Sequence, residues 1–272
     1  MRQRITALAA LIGAMLLVGS SVAVGRLVAI RLPICFASMI RFALATAVLV
    51  PLVILLEGGW PRVSRRGCAI LGLQALCGSF LFTVFLLAGL RLTGAAEAGV
   101  VAATTPAAVA LLGRVLFRER LRGRALAGLT ATCAGLLVLE AGPPAVGSHP
   151  LLGHALVLGA VVFEAAFLLL RRAVSEPLSP MAAAMWVSLL GLALFLPPGL
   201  WEAGTIDPSA LTPAMLFALA YYGLAVTAIA YMLWFYGVVR VEAVLAGAVT
   251  GIMPVAALGC AAWFCGETVG WR

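Results

Sequence analysis

The sequence predicts an all-α fold, a polytopic transmembrane helical bundle built as two inverted five-helix repeats. Three observations predict it: an extreme composition, apolar runs of membrane-crossing length, and a repeat that aligns the two halves of the chain. Of 272 residues, 64% are hydrophobic and 10% charged, whereas soluble domains carry roughly a quarter charged residues. A water-soluble core of this size could not hide so much apolar surface. The runs are about 20 residues long, which at 1.5 Å per residue crosses ~30 Å of hydrocarbon. Barrel strands would alternate every second residue, and these runs do not.

In chain order, the predicted spans fall near residues 5–24, 33–55, 68–90, 95–116, 124–140, 151–170, 179–196, 212–236 and 243–265. The first follows Arg2 and Arg4 and ends in Gly19-Ser20-Ser21, the outline of a signal peptide. Its apolar stretch is long for a signal, so it is read as a retained anchor helix. The second span contains Arg41, the third Gln74, the fourth Pro106 and the sixth Glu164. The seventh carries Trp186, the eighth Tyr222 and Tyr231, and the ninth Pro254.

Charge placement orients the bundle. Every basic residue is Arg. With the amino terminus in the cytoplasm, Arg2, Arg4, Arg62, Arg65, Arg66, Arg114, Arg118, Arg120, Arg122, Arg124, Arg171, Arg172 and Arg240 fall inside. Only Arg26, Arg31, Arg91 and Arg272 fall outside, which is the positive-inside pattern. Topology thus explains the net charge of +8 without a nucleic-acid partner; the lipid bilayer is the partner. The six cysteines lie in or beside apolar spans with no CxxC pair and read as packing residues.

The repeat appears when the fourth and ninth spans are overlaid with a shift of 148 residues. Pro106 then meets Pro254, Glu119 meets Glu267, Gly89 meets Gly237 and Gly99 meets Gly247. Five spans separate the copies, an odd number, so the copies point in opposite directions across the bilayer. Inverted halves let a site near the midplane open to either side at comparable free energy, which is alternating access. Each matched proline also removes one helical hydrogen bond at corresponding depth.

The chain resembles the drug/metabolite transporter superfamily in its EamA-type branch. The likeness rests on Ala37-Ser38-Met39-Ile40-Arg41-Phe42, on Leu90-Arg91-Leu92-Thr93-Gly94-Ala95-Ala96-Glu97-Ala98 leading to Thr105-Pro106, and on Arg118-Glu119 with Gly123-Arg124. The second half echoes them with Val239-Arg240-Val241-Glu242-Ala243, Met253-Pro254 and Gly266-Glu267. The resemblance implies repeats over 1–145 and 146–272, a bacterial inner-membrane location, and export of small metabolites. Within the family the chain is similar to the branch exporting amino acids, including aromatic ones. The family pattern also places a tenth helix after Gly266-Glu267, so a further span is expected beyond Arg272.

Ionisable groups at depth are costly and usually face a cavity or a partner. Glu164 is the leading substrate-binding candidate, either for a substrate ammonium or as a carboxyl that gains and loses a coupling proton. Phe163, Gln74, Tyr222, Tyr231 and Trp186 complete the expected site, an aromatic wall beside one carboxylate. Arg41, Pro106, Pro254, Glu119 and Glu267 take gating or structural roles, Arg41 by the resemblance. Trp201, Trp234 and Tyr236, near span ends, read as an interfacial belt. His149 and His154 lie with Glu140 in one outer segment, but the spacing is too loose for a metal site. No HExxH, phosphate loop, intramembrane Asp pair or Ser near His is present, so no enzyme, metal or organic cofactor is expected. A lipid or lipid-linked-sugar flippase of the same fold remains the alternative. The sequence selects neither a monomer nor a homodimer.

Overall fold

The structure is a computed structural model that describes residues 2–117, 149–170, 178–241, 245–246 and 249–264. Glu119, Glu267, Glu140, Cys133, Cys265 and the predicted span 124–140 lie outside the described residues. The described residues contain helices and no strand: α1 Arg2–Arg31, α2 Ile34–Glu57, α3 Arg65–Leu92, α4 Ala95–Ala102, α5 Thr105–Phe117, α6 Pro150–Leu170, α7 Pro180–Ala203, α8 Pro213–Val238 and α9 Ile252–Phe264. Among them are seven candidate membrane spans, the fourth being α4 and α5 taken together.

Local chemistry sets the helix ends. Ser64 accepts from the Gly67 amide at 3.0 Å to start α3. Ser179 and Thr212 cap α7 and α8, each followed by a proline whose missing N–H is no loss at that position. α2 stops at Gly58, whose φ of 76° is a left-handed conformation open to glycine. Ser179 also donates to Glu57 Oε1 at 2.5 Å, tying the end of α2 to the start of α7. At the opposite end of the bundle, Arg91 donates to the carbonyls of Ala29 at 2.6 Å and Leu32 at 2.8 Å, closing the end of α1.

Two elements run longer than the sequence suggests. α1 continues past Arg26 to Arg31, because Val22, Ala23, Val28 and Ala29 bury one side of it in the core. α7 continues through Pro197-Pro198 to Ala203, since proline is tolerated where neighbouring helices surround the freed backbone. α2 packs along α7, α3 along α6, and α1 against α3, α8 and α9. Trp201 is 85% exposed, as a belt residue should be. Trp234 is not in a belt: it is 5% exposed and packs into the core formed with Leu11, Met15 and Met253. Nearness to a span end sets depth but not facing, and Trp234 faces the core rather than lipid.

Two irregularities recur along the chain. α3 widens into a π segment at Leu76–Leu81 and α8 at Tyr222–Ile229, and their ends, Leu81 and Ile229, are 148 residues apart. The helix also unwinds at Ala103-Thr104 before Pro106 and at Thr250-Gly251 before Pro254. Both breaks carry short bonds to the third residue back, Thr104 N to Val101 O at 3.0 Å and Met253 N to Thr250 O at 3.0 Å.

In the loop before α8, the Ser209 amide donates to Asp207 Oδ1 at 2.9 Å, capping the turn Pro208–Ala210. That backbone hydrogen bond holds the Asp207 carboxyl below the usual carboxylate range. A depressed folded value means that the turn is supported above the unfolded value and loses support as pH falls through the folded one. Hydrogen exchange at the Ser209 and Ala210 amides, corrected for intrinsic rate, should therefore rise on acidification, with no such step in Asp207→Asn.

Candidate functional site

The predicted site residues fall into two groups on either side of α3. The first gathers on α6. Glu164 is partly buried, and Phe163 meets Phe85 of α3 edge-on at 5.1 Å. One turn further, Phe167 covers the π segment of α3. A Cβ at Gly78 would lie 2.2 Å from the Phe167 ring, so only glycine admits that contact. Phe167 also stacks on Tyr231 of α8 at 6.1 Å, and its carbonyl accepts from Gln74 Nε2 at 3.1 Å. Gln74 is fully buried, and its Oε1 has no partner among the described residues. Trp186 packs on the same core with its Nε1 equally unpartnered, and meets Trp60 edge-on at 5.6 Å.

Glu164 is joined to the broken helix through the proline. Pro106 has no N–H to give the carbonyl four residues back, that of Ala102. Thr105 Oγ1 serves that carbonyl instead at 2.9 Å, and the same oxygen lies 2.9 Å from Glu164 Oε2. A hydroxyl has one proton and two lone pairs. Both contacts are hydrogen bonds only when Thr105 donates to Ala102 and a protonated Glu164 donates to Thr105. An ionised Glu164 competes with the Ala102 carbonyl for the one hydroxyl proton, so the charge on α6 is mechanically linked to the break before α5.

The second group surrounds Arg41 of α2, which is 4% exposed. Its Nε donates to Thr227 Oγ1 at 2.5 Å and its Nη1 reaches Thr83 Oγ1 at 3.5 Å. The guanidinium stacks on Tyr222 at 4.3 Å from the ring centre, and Phe42 lies at 4.9 Å. Thr227 in turn donates to the Tyr222 carbonyl at 2.9 Å, five residues back, within the π segment of α8. Tyr222 thus belongs with Arg41 rather than with Glu164. Pro254 lies in the first turn of α9.

The sequence reading missed Thr105, Thr83, Thr227 and Phe167, since no motif distinguishes a threonine that caps a broken helix from one that merely packs. It also grouped His154 with His149 and Glu140. Instead His154 Nε2 lies 3.3 Å from Glu97 and 3.0 Å from Thr93 Oγ1, and the Thr93 hydroxyl donates to Glu97. This cluster joins the start of α6 to the turn between α3 and α4. No group of three or more metal-ligating side chains occurs among the described residues. A cavity of about 430 Å³ at that same end of the bundle is lined by Arg31, Arg91, Glu202 and Asp207 among others.

The seven apolar spans among the described residues define a polytopic membrane protein. The chain belongs to the EamA-like transporter family, whose sequence profile matches residues 5–140 and again 151–272. It is similar to an uncharacterised transporter, YetK, of Bacillus subtilis (strain 168), with 35% identity over 260 residues that cover 94% of this chain and 79% of that protein. A crystal structure with 20% sequence identity shares the fold at a TM-score of 0.68, covering 97% of this chain and 90% of that one. The protein is therefore a multi-pass membrane transporter of small molecules, with the bilayer and a small solute as its partners.

Proposed function

We propose that the protein exports amino acids, aromatic ones included, across the bacterial inner membrane by alternating access, with the amino terminus in the cytoplasm. The observation that carries this reading is Glu164, a carboxyl deep in a span whose Thr105 partner belongs to the proline break. A substrate ammonium at Glu164 displaces the proton, and Thr105 transmits the change to the break. Phe163 and Phe167 flank Glu164 along α6, and Tyr231, stacked on Phe167, extends them into an aromatic wall for a large side chain.

Support for inverted halves, taken as 1–145 and 146–272, comes from the recurrence of both helix irregularities at nearly one spacing and from the family's matching twice, over residues 5–140 and 151–272. Glu119 and Glu267 fit as paired gate residues at opposite faces, and Pro106 and Pro254 as paired hinges. Protons are the coupling ion, exchanged at Glu164 against substrate.

The test is uptake of a panel of radiolabelled amino acids into liposomes carrying the purified protein, with and without an imposed pH gradient. Saturable, competable uptake of large neutral amino acids, accelerated by the gradient, is the expected result. Silence across the panel, with labelled lipid changing leaflet instead, would replace the proposal with a flippase.

A further inference from the structure

We propose that the groove between the ends of α2, α7 and α8 binds a phospholipid with a primary-ammonium headgroup, phosphatidylethanolamine, whose ammonium meets Glu57. The site is separate from Glu164 and does not depend on which solute is carried.

A cavity of about 350 Å³ opens at the surface there. One side is a stripe of α8, Ile229, Met232, Leu233 and Tyr236, at the spacing that puts side chains on a single helix face. Met181 of α7 lines it too, so the body of the groove is apolar. The stripe rises about 10 Å along α8, enough to take part of an acyl chain. Its charged end is Glu57, the last residue of α2, held by Ser179 at the start of α7. Ser179 donates to Glu57 Oε1; among the described residues Oε2 has no partner and no cation pairs with the carboxylate.

The register of the helices brings an arginine to the same end. α2 and α8 run parallel, because Gly223 sits against Arg41 and Leu44 at one level while Tyr236 shares the groove with Glu57 at another. One turn past Tyr236 comes Arg240, which is exposed. Its Cζ lies 4.0 Å from the centre of the Tyr236 ring, and its Nη1 donates to the Tyr236 carbonyl at 2.7 Å. Its other N–H groups have no partner among the described residues. Tyr236 therefore joins the two charges: it lines the groove with Glu57 and carries the guanidinium on its ring. All three lie at span ends, the depth at which headgroups sit.

An apolar groove ending in a carboxylate and a guanidinium complements an acyl chain, an ammonium and a phosphate. A guanidinium suits a phosphate, to which it can donate two hydrogen bonds at once. The open oxygen of Glu57 selects among headgroups. A primary ammonium gives it a charge-assisted hydrogen bond, whereas a choline ammonium has no N–H to give. A glycerol headgroup has no positive charge, and a serine headgroup brings a second carboxylate towards Glu57.

Native mass spectrometry of the purified protein, released from detergent with dioleoyl phosphatidylethanolamine, phosphatidylcholine or phosphatidylglycerol added, counts the bound lipid. The ethanolamine lipid should bind about fivefold more tightly than the choline lipid, as one ion pair near a surface allows. Glu57→Gln keeps an acceptor for Ser179 but loses the charge, so the ethanolamine lipid should fall to the level of the choline lipid, which itself stays unchanged. Arg240→Gln removes the phosphate contact and should weaken all three. An ethanolamine preference missing from the unaltered protein, or one that survives in Glu57→Gln, overturns the proposal. A dimer in place of bound lipid would overturn it as well, giving the groove to a second copy of the chain.

Discussion

Glu164→Gln is expected to lower transport roughly a hundredfold while leaving the fold intact. The amide NH₂ still donates to Thr105, so Thr105 can go on serving the Ala102 carbonyl and the break before α5 keeps its local bonds. What disappears is the carboxyl that the proposed mechanism uses to meet a substrate ammonium and to exchange a proton. Removing one member of a buried, hydrogen-bonded charge pair costs about 3 kcal/mol, which corresponds to that factor. The measurement is initial uptake rate at several substrate concentrations, with melting temperature as the control for folding. Normal uptake together with normal melting would remove Glu164 from the mechanism. Thr105→Val should act more broadly, since it strands both the Ala102 carbonyl and the Glu164 carboxyl in an apolar setting.

Gly19→Leu is expected to have the largest effect on stability. A Cβ at residue 19 would lie 2.5 Å from the Met253 carbonyl oxygen and 2.5 Å from the Ala256 methyl of α9. The carbonyl is backbone and cannot swing aside, so α1 and α9 must separate along their contact. Overpacking of this kind costs about 1–3 kcal/mol even for small additions, which for a chain of this size lowers the melting temperature by about 2–12 °C. Close approach through small residues is what holds helices together in lipid, where burial of apolar surface gives no drive. Gly72→Ala is the matched control. Among the described residues nothing lies within 4 Å of its Cβ position, and alanine favours the helix, so melting should stay level or rise. Equal losses for both variants would contradict the packing assigned to α1.

How much of this was legible in the sequence follows from what each feature needs. Span positions show in a single strand of text, because a helix in lipid must be apolar all round for about 20 residues. Arg41 and Glu164 stood out for the same reason, as charges where charges are costly. The residues that give those two their roles did not. Thr105, Thr83 and Thr227 are ordinary hydroxyls whose importance lies in which helix they face. The two π segments leave no composition signal at all, yet Thr227 donates across one of them. Trp234 is buried in the core rather than in a belt, because nearness to a span end fixes depth but not facing. His154 was paired with sequence neighbours, whereas its partners Glu97 and Thr93 are brought in by the antiparallel packing of α3 and α6.

The claim on which the account turns is that one site opens alternately to either side, and counterflow tests it most directly. Liposomes carrying the protein are loaded with unlabelled tryptophan and diluted into a trace of labelled tryptophan. A carrier exchanges outgoing for incoming solute, so the label should rise transiently above its equilibrium level and then decay, with no overshoot in Glu164→Gln. Label that equilibrates without overshoot, or enters no faster than into empty liposomes, would contradict alternating access to an amino-acid site.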